Sequence, residues 1–265
     1  MGRLEIQDLH FSYTKGEEIL KGMNLVLEGD STAIIGQNGA GKTTFVKLLK
    51  GLLRPTSGKI LYNGKDLSTL TVAQIARDIG MVFQNPNDQI FKNTVINEVM
   101  FGPHQIGMSR EQAEKRAEEA LEIVGLSSLK KVNPYDLGLS ERKLVSIAAI
   151  LAMNTDVIIF DEPTIAQDYA GKTCIGNIVK KLRKEGKLVL TIIHDMDFVA
   201  EYFDRAVVFA KGNILLDGTP EVVFAEADVL EKAYLEQPNV TKLCHALGQE
   251  KIFLTTDAYI EYMKG

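Results

Sequence analysis

The chain has 265 residues, 45% hydrophobic and 25% charged, the profile of an ordinary globular protein with room for a substantial core. Its formal net charge of -5 excludes a global attraction to nucleic acid or anionic lipid, so docking to a bilayer would need a protein partner. The two cysteines, Cys174 and Cys244, lack the C-x-x-C spacing of metal or redox sites and make no disulfide framework, which argues against a secreted, disulfide-built scaffold.

The N-terminal MGRLEIQDLHFSY alternates like a strand and shows no charged-then-apolar signal segment, and no apolar run approaches the roughly 20 residues that span a bilayer. An intracellular chain, soluble by itself, is expected. Strands are predicted in LEIQDLHFSY, NLVLEG and STAIIG, a helix from Lys42 to about Leu52, and a further strand in GKILYNG. Tyr13, in HFSY, is placed to stack on adenine, although an aromatic at a strand end packs on protein more often than on a base.

Between the strand AIIG and the helix lies GQNGAGKTT, which has both the sequence and the context of a phosphate-binding P-loop. Gly36, Gly39 and Gly41 free the backbone to curl, so that the loop running through Gln37, Asn38 and Ala40 turns its N–H groups inward at a helix N-terminus. Lys42 is expected to reach the β- and γ-phosphates of ATP, Thr43 to offer its hydroxyl to Mg²⁺, and Thr44 to contact the α-phosphate side. A plain glycine turn would explain two of the glycines, but not the Lys-Thr pair or the spacing. A P-loop alone fits kinases, GTPases and many ATPases.

Next comes IGMVFQNP, an apolar strand ending in Gln84, whose amide oxygen is suited to ligate Mg²⁺ and sense the γ-phosphate; the plainer reading is a polar strand terminus. From Thr71 to Met153 helical signals dominate, and SREQAEKRAEEALEIVGL opens with a Ser109/Gln112 capping box and ends near Gly125. DVIIF, LVLTIIHD and DRAVVFAKGNILLDG are continuous apolar runs separated by helical segments, as in a parallel sheet covered on both faces. DVIIFDEP puts Asp161 and Glu162 at the carboxyl edge of that sheet, Asp161 to hold Mg²⁺ and Glu162 to polarise the attacking water; without the P-loop, an acidic turn before Pro163 would explain them as well. LTIIHD ends a strand in His194, where an imidazole can reach the γ-phosphate, although a lone strand-end histidine is usually structural. From Thr219 the composition is mixed, with helical stretches interrupted at Pro238.

Taken in order and spacing, Tyr13, GQNGAGKT, Gln84, DEP with its apolar strand, Asp168 and His194 resemble the nucleotide-binding domains of ATP-binding-cassette (ABC) proteins over about residues 3–220. VFQNPNDQIFKNTVINEVMFGP looks like the corresponding region in the ATPases of energy-coupling-factor vitamin and cobalt importers. The resemblance implies an α/β P-loop NTPase fold with an antiparallel β subdomain, a mainly parallel core sheet and a helical subdomain at about 85–150. It divides the chain into a nucleotide-binding domain, 1–220, and a C-terminal helical extension, 221–265. It further implies ATP hydrolysis with Mg²⁺, catalytic roles for Lys42, Glu162 and His194, and a place peripheral to the cytoplasmic face of the membrane. The implied partners are a second ATPase, a transmembrane coupling protein and a substrate-binding membrane protein. The stretch from about Asn93 to Met108 is expected to line a groove for a helix of the membrane partner.

One motif departs from the family. Where relatives carry a signature close to LSGGQ, the residues aligned through PYDL and LVSIAAILAM are Leu137, Gly138, Leu139, Ser140 and Glu141. Gly138 lacks the hydroxyl, Leu139 adds a side chain where backbone must approach closely, and Glu141 adds negative charge. After DEPT, IAQD keeps only Asp168, a dimer contact in the family. In the family both segments face the second ATPase, so the resemblance implies half of an asymmetric heterodimer. A soluble cassette acting on nucleic acid or ribosomes is a weaker reading, because the chain is acidic and holds a single cassette. An ATP-binding regulatory subunit with little turnover is weaker still, because Lys42, Asp161, Glu162 and His194 are all present.

Overall fold

The structure is a computed structural model that describes residues 2–249 and 251–264. In chain order it runs β1 (Arg3–Ser12), β2 (Glu18–Glu28), β3 (Ser31–Ile35), α1 (Lys42–Leu49), β4 (Ser57–Tyr62), β5 (Lys65–Asp66), α2 (Val72–Asp78) and β6 (Ile79–Val82). Three helices follow, α3 (Val95–Gln105), α4 (Arg110–Ile123) and α5 (Leu139–Met153). The chain then alternates through β7 (Val157–Asp161), α6 (Tyr169–Lys184), β8 (Leu188–Ile192), α7 (Met196–Tyr202), β9 (Arg205–Ala210) and β10 (Asn213–Gly218). It ends in α8 (Pro220–Ala225), α9 (Ala227–Lys232), α10 (Asn239–Ala246) and α11 (Thr256–Lys264).

Two sheets form. The first is antiparallel where its pairings are defined, in the order β2-β1-β4-β5, and the second has the order β10-β9-β3-β8-β7-β6. In the second sheet all neighbours are parallel except the β9–β10 pair. Every residue of β3, β6, β7 and β8 is buried, which explains why their sequences are mostly apolar and do not alternate: both faces of this sheet are covered, so regular alternation would fill the core with polar groups. One core cluster joins the antiparallel sheet, α1 and one face of the parallel sheet through Leu20, Phe45, Leu190 and Phe209. The other joins the opposite face to α3–α6 through Val99, Val145, Phe160 and Val179.

Helix α1 is shorter than the Lys42–Leu52 expectation: Gly51 takes φ 73°, a left-handed conformation that stops the helix after Leu49. The core also continues past residue 220, since Val223, Phe224, Leu230 and Ala233 belong to the main cluster. A separate small cluster of Val240, Cys244 and Phe253 builds the last helical pair. Packing therefore changes between Leu235 and Val240, beyond the 220/221 division expected from the resemblance.

Candidate active site

Because β3, β6, β7 and β8 run parallel and side by side, their carboxyl ends open onto one edge, the edge where ligands bind in open α/β sheets. Gly36 follows β3, Gln84 follows β6, Asp161 closes β7 with Glu162 directly after it, and His194 follows β8. The sequence-predicted residues, scattered over more than half of the chain, are thus brought to one place.

The P-loop is shaped by what its glycines avoid. A Cβ on Gly36 would stand 2.3 Å from the Phe209 carbonyl oxygen, so the loop passes the β9 backbone only because that side chain is missing. At Gly39, where φ is 81°, nothing lies within 4 Å of the Cβ position, so the peptide turns over open space. Lys42 is 5% exposed and folds back into the loop, its Nζ donating to the carbonyls of Gly36 (2.6 Å) and Gln37 (2.9 Å). Burial lowers its pKa, while Glu162 and Asp161 oppose that shift. Thr43 and Thr44 lie in the first turn of α1, and the hydroxyls of Thr44 and Tyr13 are 3.3 Å apart. The Tyr13 ring is 58% exposed and meets Phe11 only edge-on, leaving a face open to a flat ligand.

Glu162 stands between two partners. Gln84 Nε2 donates to its Oε2 (2.8 Å), and His194 Nε2 lies 3.0 Å from its Oε1. Its own N–H donates to the carbonyl of Ile192 on β8 (3.0 Å), which fixes where the carboxylate emerges. Asp161 is 2% exposed, its Oδ1 has no hydrogen-bond partner, and burial followed by the neighbouring Glu162 charge pushes its pKa up to about 6. An enclosed, unpartnered carboxylate oxygen at the sheet edge that also carries the P-loop fits a hard divalent cation such as Mg²⁺. Among the described residues no group of three or more His, Cys, Asp and Glu could hold a metal.

The Leu137–Glu141 segment forms the entry to α5. Gly138 is exposed and its N–H donates to Glu141 Oε2 (3.0 Å), so the acidic charge is drawn onto the positive end of the helix. Leu139 is 45% exposed. The Ser140 hydroxyl donates to Gln167 Oε1 (2.9 Å), and Gln167 Nε2 returns a bond to the Ser140 carbonyl (3.2 Å). The two altered segments therefore pair with each other within this chain. Asp168 caps α6 by accepting from the Gly171 N–H (2.8 Å). Sequence reasoning missed Lys143, a buried lysine at the end of the polar run SERK, where neighbouring charges make it read as one more solvated residue.

The "ABC transporter" family model matches residues 20–165. The chain is 39% identical over 250 residues to the energy-coupling factor transporter ATP-binding protein EcfA of Methanocaldococcus jannaschii, covering 93% of this chain and 90% of the relative. Its fold matches CbiO1 from Clostridium perfringens, described as part of the ABC transporter complex cbiONQ, with a TM-score of 0.77 and 33% identity over 92% of this chain and 98% of that one. It also matches a dimeric ATP-binding cassette in a post-hydrolysis state bound to ADP and Pi, with a TM-score of 0.76 and 29% identity over 82% of this chain and 98% of that one. Family match, full-length likeness and an assembled P-loop edge agree: the chain belongs to the ABC transporter family and is an ATPase similar to energy-coupling factor ATP-binding subunits.

Proposed function

We propose that this ATPase powers substrate import through an energy-coupling-factor type membrane transporter, as one half of an asymmetric pair of cassettes. The observation that carries the reading is the combination of a complete hydrolytic half-site, Lys42 with Glu162 and His194, and a partner-facing segment that offers Gly138 and Leu139 in place of a hydroxyl and a bare backbone.

In this reading the P-loop amides and Lys42 hold the phosphates, and Tyr13 supports the adenine. Thr43, Gln84 and Asp161 would hold Mg²⁺, which would supply positive charge to offset that of the phosphates. Glu162 orients and polarises a water molecule in line with the γ-phosphorus. The new O–P bond forms as the bond to the β-bridging oxygen breaks, ADP leaves with that electron pair, and the water proton passes to the Glu162 carboxylate and from there to solvent. His194 steadies Glu162 from the opposite oxygen. Gln84 can hold Glu162 through Nε2 while its amide oxygen is offered to a cation.

Asp168 and the 138–141 segment face the second cassette in this assignment, and the stretch including α3 receives a helix of the transmembrane coupling protein. Phe91 is 55% exposed there and stacks edge-on with Phe101, under Lys92. No described helix is long and apolar enough to cross a membrane, so the bilayer-spanning parts, a coupling protein and a substrate-binding protein, are separate chains in this reading. The chain alone is expected to bind ATP but turn over slowly, since losing one transition-state donor typically costs on the order of 3 kcal/mol, about a hundredfold in rate. Mixing it with a cassette that carries an intact signature should restore hydrolysis, and Glu162→Gln in this chain should then remove most of that rate while leaving ATP bound. Hydrolysis by the isolated chain as fast as the mixture, or a dominant role for the partner's carboxylate, would refute the asymmetry.

A further inference from the structure

Lys143 lies one turn into α5, just after the 138–141 segment, and is 2% exposed. A lysine so enclosed has to find acceptors, because an ammonium taken from water without them is strongly disfavoured. Its Nζ donates to the carbonyls of Phe83 (3.0 Å) and Gln84 (2.5 Å). Burial pushes its pKa down to about 8, against the pull of Asp161 and Glu162.

Two neighbours strengthen the same attachment. Gln89 accepts the Phe83 N–H on its Oε1 (3.1 Å) and donates Nε2 to the Ser146 carbonyl of α5 (3.2 Å). Arg142 Nη1 donates to Asn87 Oδ1 (2.8 Å). Residues 83–89 continue β6 in sequence, yet Arg142, Lys143 and Ser146 hold them to α5. The Gln84 side chain then spans from this attachment to Glu162 (2.8 Å).

We propose that Lys143 is a positioning residue that fastens Gln84 to α5, so that a shift of the partner-facing end of α5 is delivered to the Gln84–Glu162 contact of this chain's own site. The proposal rests on the preceding reading of Glu162 as the water-polarising group and of residues 138–141 as partner-facing. A lysine that merely fills space would act on stability and not through Gln84. The two roles separate in a double-mutant cycle on the assembled pair of cassettes, with Lys143→Met, Gln84→Ala and the double variant assayed for kcat, ATP KM and melting temperature.

Acting through Gln84, Lys143→Met lowers kcat by about tenfold with little change in KM, and has less than about a twofold effect once Gln84 is already alanine. Lys143→Arg, which keeps two donors within reach, recovers most of the rate. Equal losses in the two backgrounds, or a fall in melting temperature that accounts for the loss of rate, would overturn the proposal. If Lys143→Met does not fold, the same cycle with Lys143→Gln decides by the same criterion. Retained turnover in Glu162→Gln would instead refute the catalytic assignment, and an inactive Glu162→Gln with additive Lys143 and Gln84 effects would refute the coupling alone.

Discussion

Two of the three donors on the Lys42 ammonium are taken by the carbonyls of Gly36 and Gln37, at 2.6 and 2.9 Å. The third donor is left for a phosphate oxygen, and a bond between ammonium and phosphate is roughly twice as strong as one between neutral groups. Lys42→Ala is expected to weaken Mg-ATP binding by about a hundredfold or more, measurable by titration calorimetry, since it removes the cation aimed at the β- and γ-phosphates. Unchanged affinity would contradict the P-loop assignment. At this scale the loop, Glu162 and His194 were legible because each sits in a short motif at the end of an apolar run. Lys143 and the Ser140–Gln167 pair were not, because their partners lie 59 and 27 residues away and nothing local marks them.

Helix α4 shows how far local chemistry reaches. The expected capping box is present, with the Gln112 N–H donating to Ser109 Oγ (3.2 Å) and the Ser109 N–H to Gln112 Oε1 (3.0 Å). Its buried residues, Ala113, Ala117, Ala120 and Leu121, form one narrow face, so its packing contributes modestly and the cap matters more than in a deeply buried helix. Ser109→Ala should cost about 1 kcal/mol in urea unfolding, with faster amide exchange in the first turn of α4. An unaltered midpoint and exchange pattern would show that tertiary contacts, not the cap, hold that turn. The buried strands were equally readable as elements. Their order in the sheet was not, because every one of them is apolar on both faces and any would fit beside any other.

The molecule as a whole divides by packing, not by motif. Phe224 is fully buried in the main cluster, and truncating a buried phenylalanine to alanine alone costs about 3–5 kcal/mol. Removing residues 221–265 should therefore abolish a cooperative thermal melt. Removing 239–265 takes away the small Val240, Cys244 and Phe253 cluster, the half-buried Leu254 on the main cluster and the bonds by which Asn239 holds Asp197, and should leave a cooperative, ATP-binding fold. If the shorter deletion also unfolds the chain, the last two helices are part of the main folding unit. Composition alone placed no such division, since α8 and α9 read like the helices that follow them.

Glu162 has a backbone φ of 48°, a left-handed conformation that costs a residue with a Cβ about 1–2 kcal/mol. The position that polarises water in the proposed mechanism is thus one where the fold itself would prefer glycine. Two inactive variants isolate that preference, because Glu162→Gly and Glu162→Ala both remove the bonds to Gln84 and His194 and differ only in their tolerance of this φ. The glycine variant should melt higher than the alanine variant by about 2–4 °C, the reverse of the order expected at an ordinary site. A carboxylate kept at such a place is a standing loss of stability, which the water-polarising role proposed for Glu162 explains.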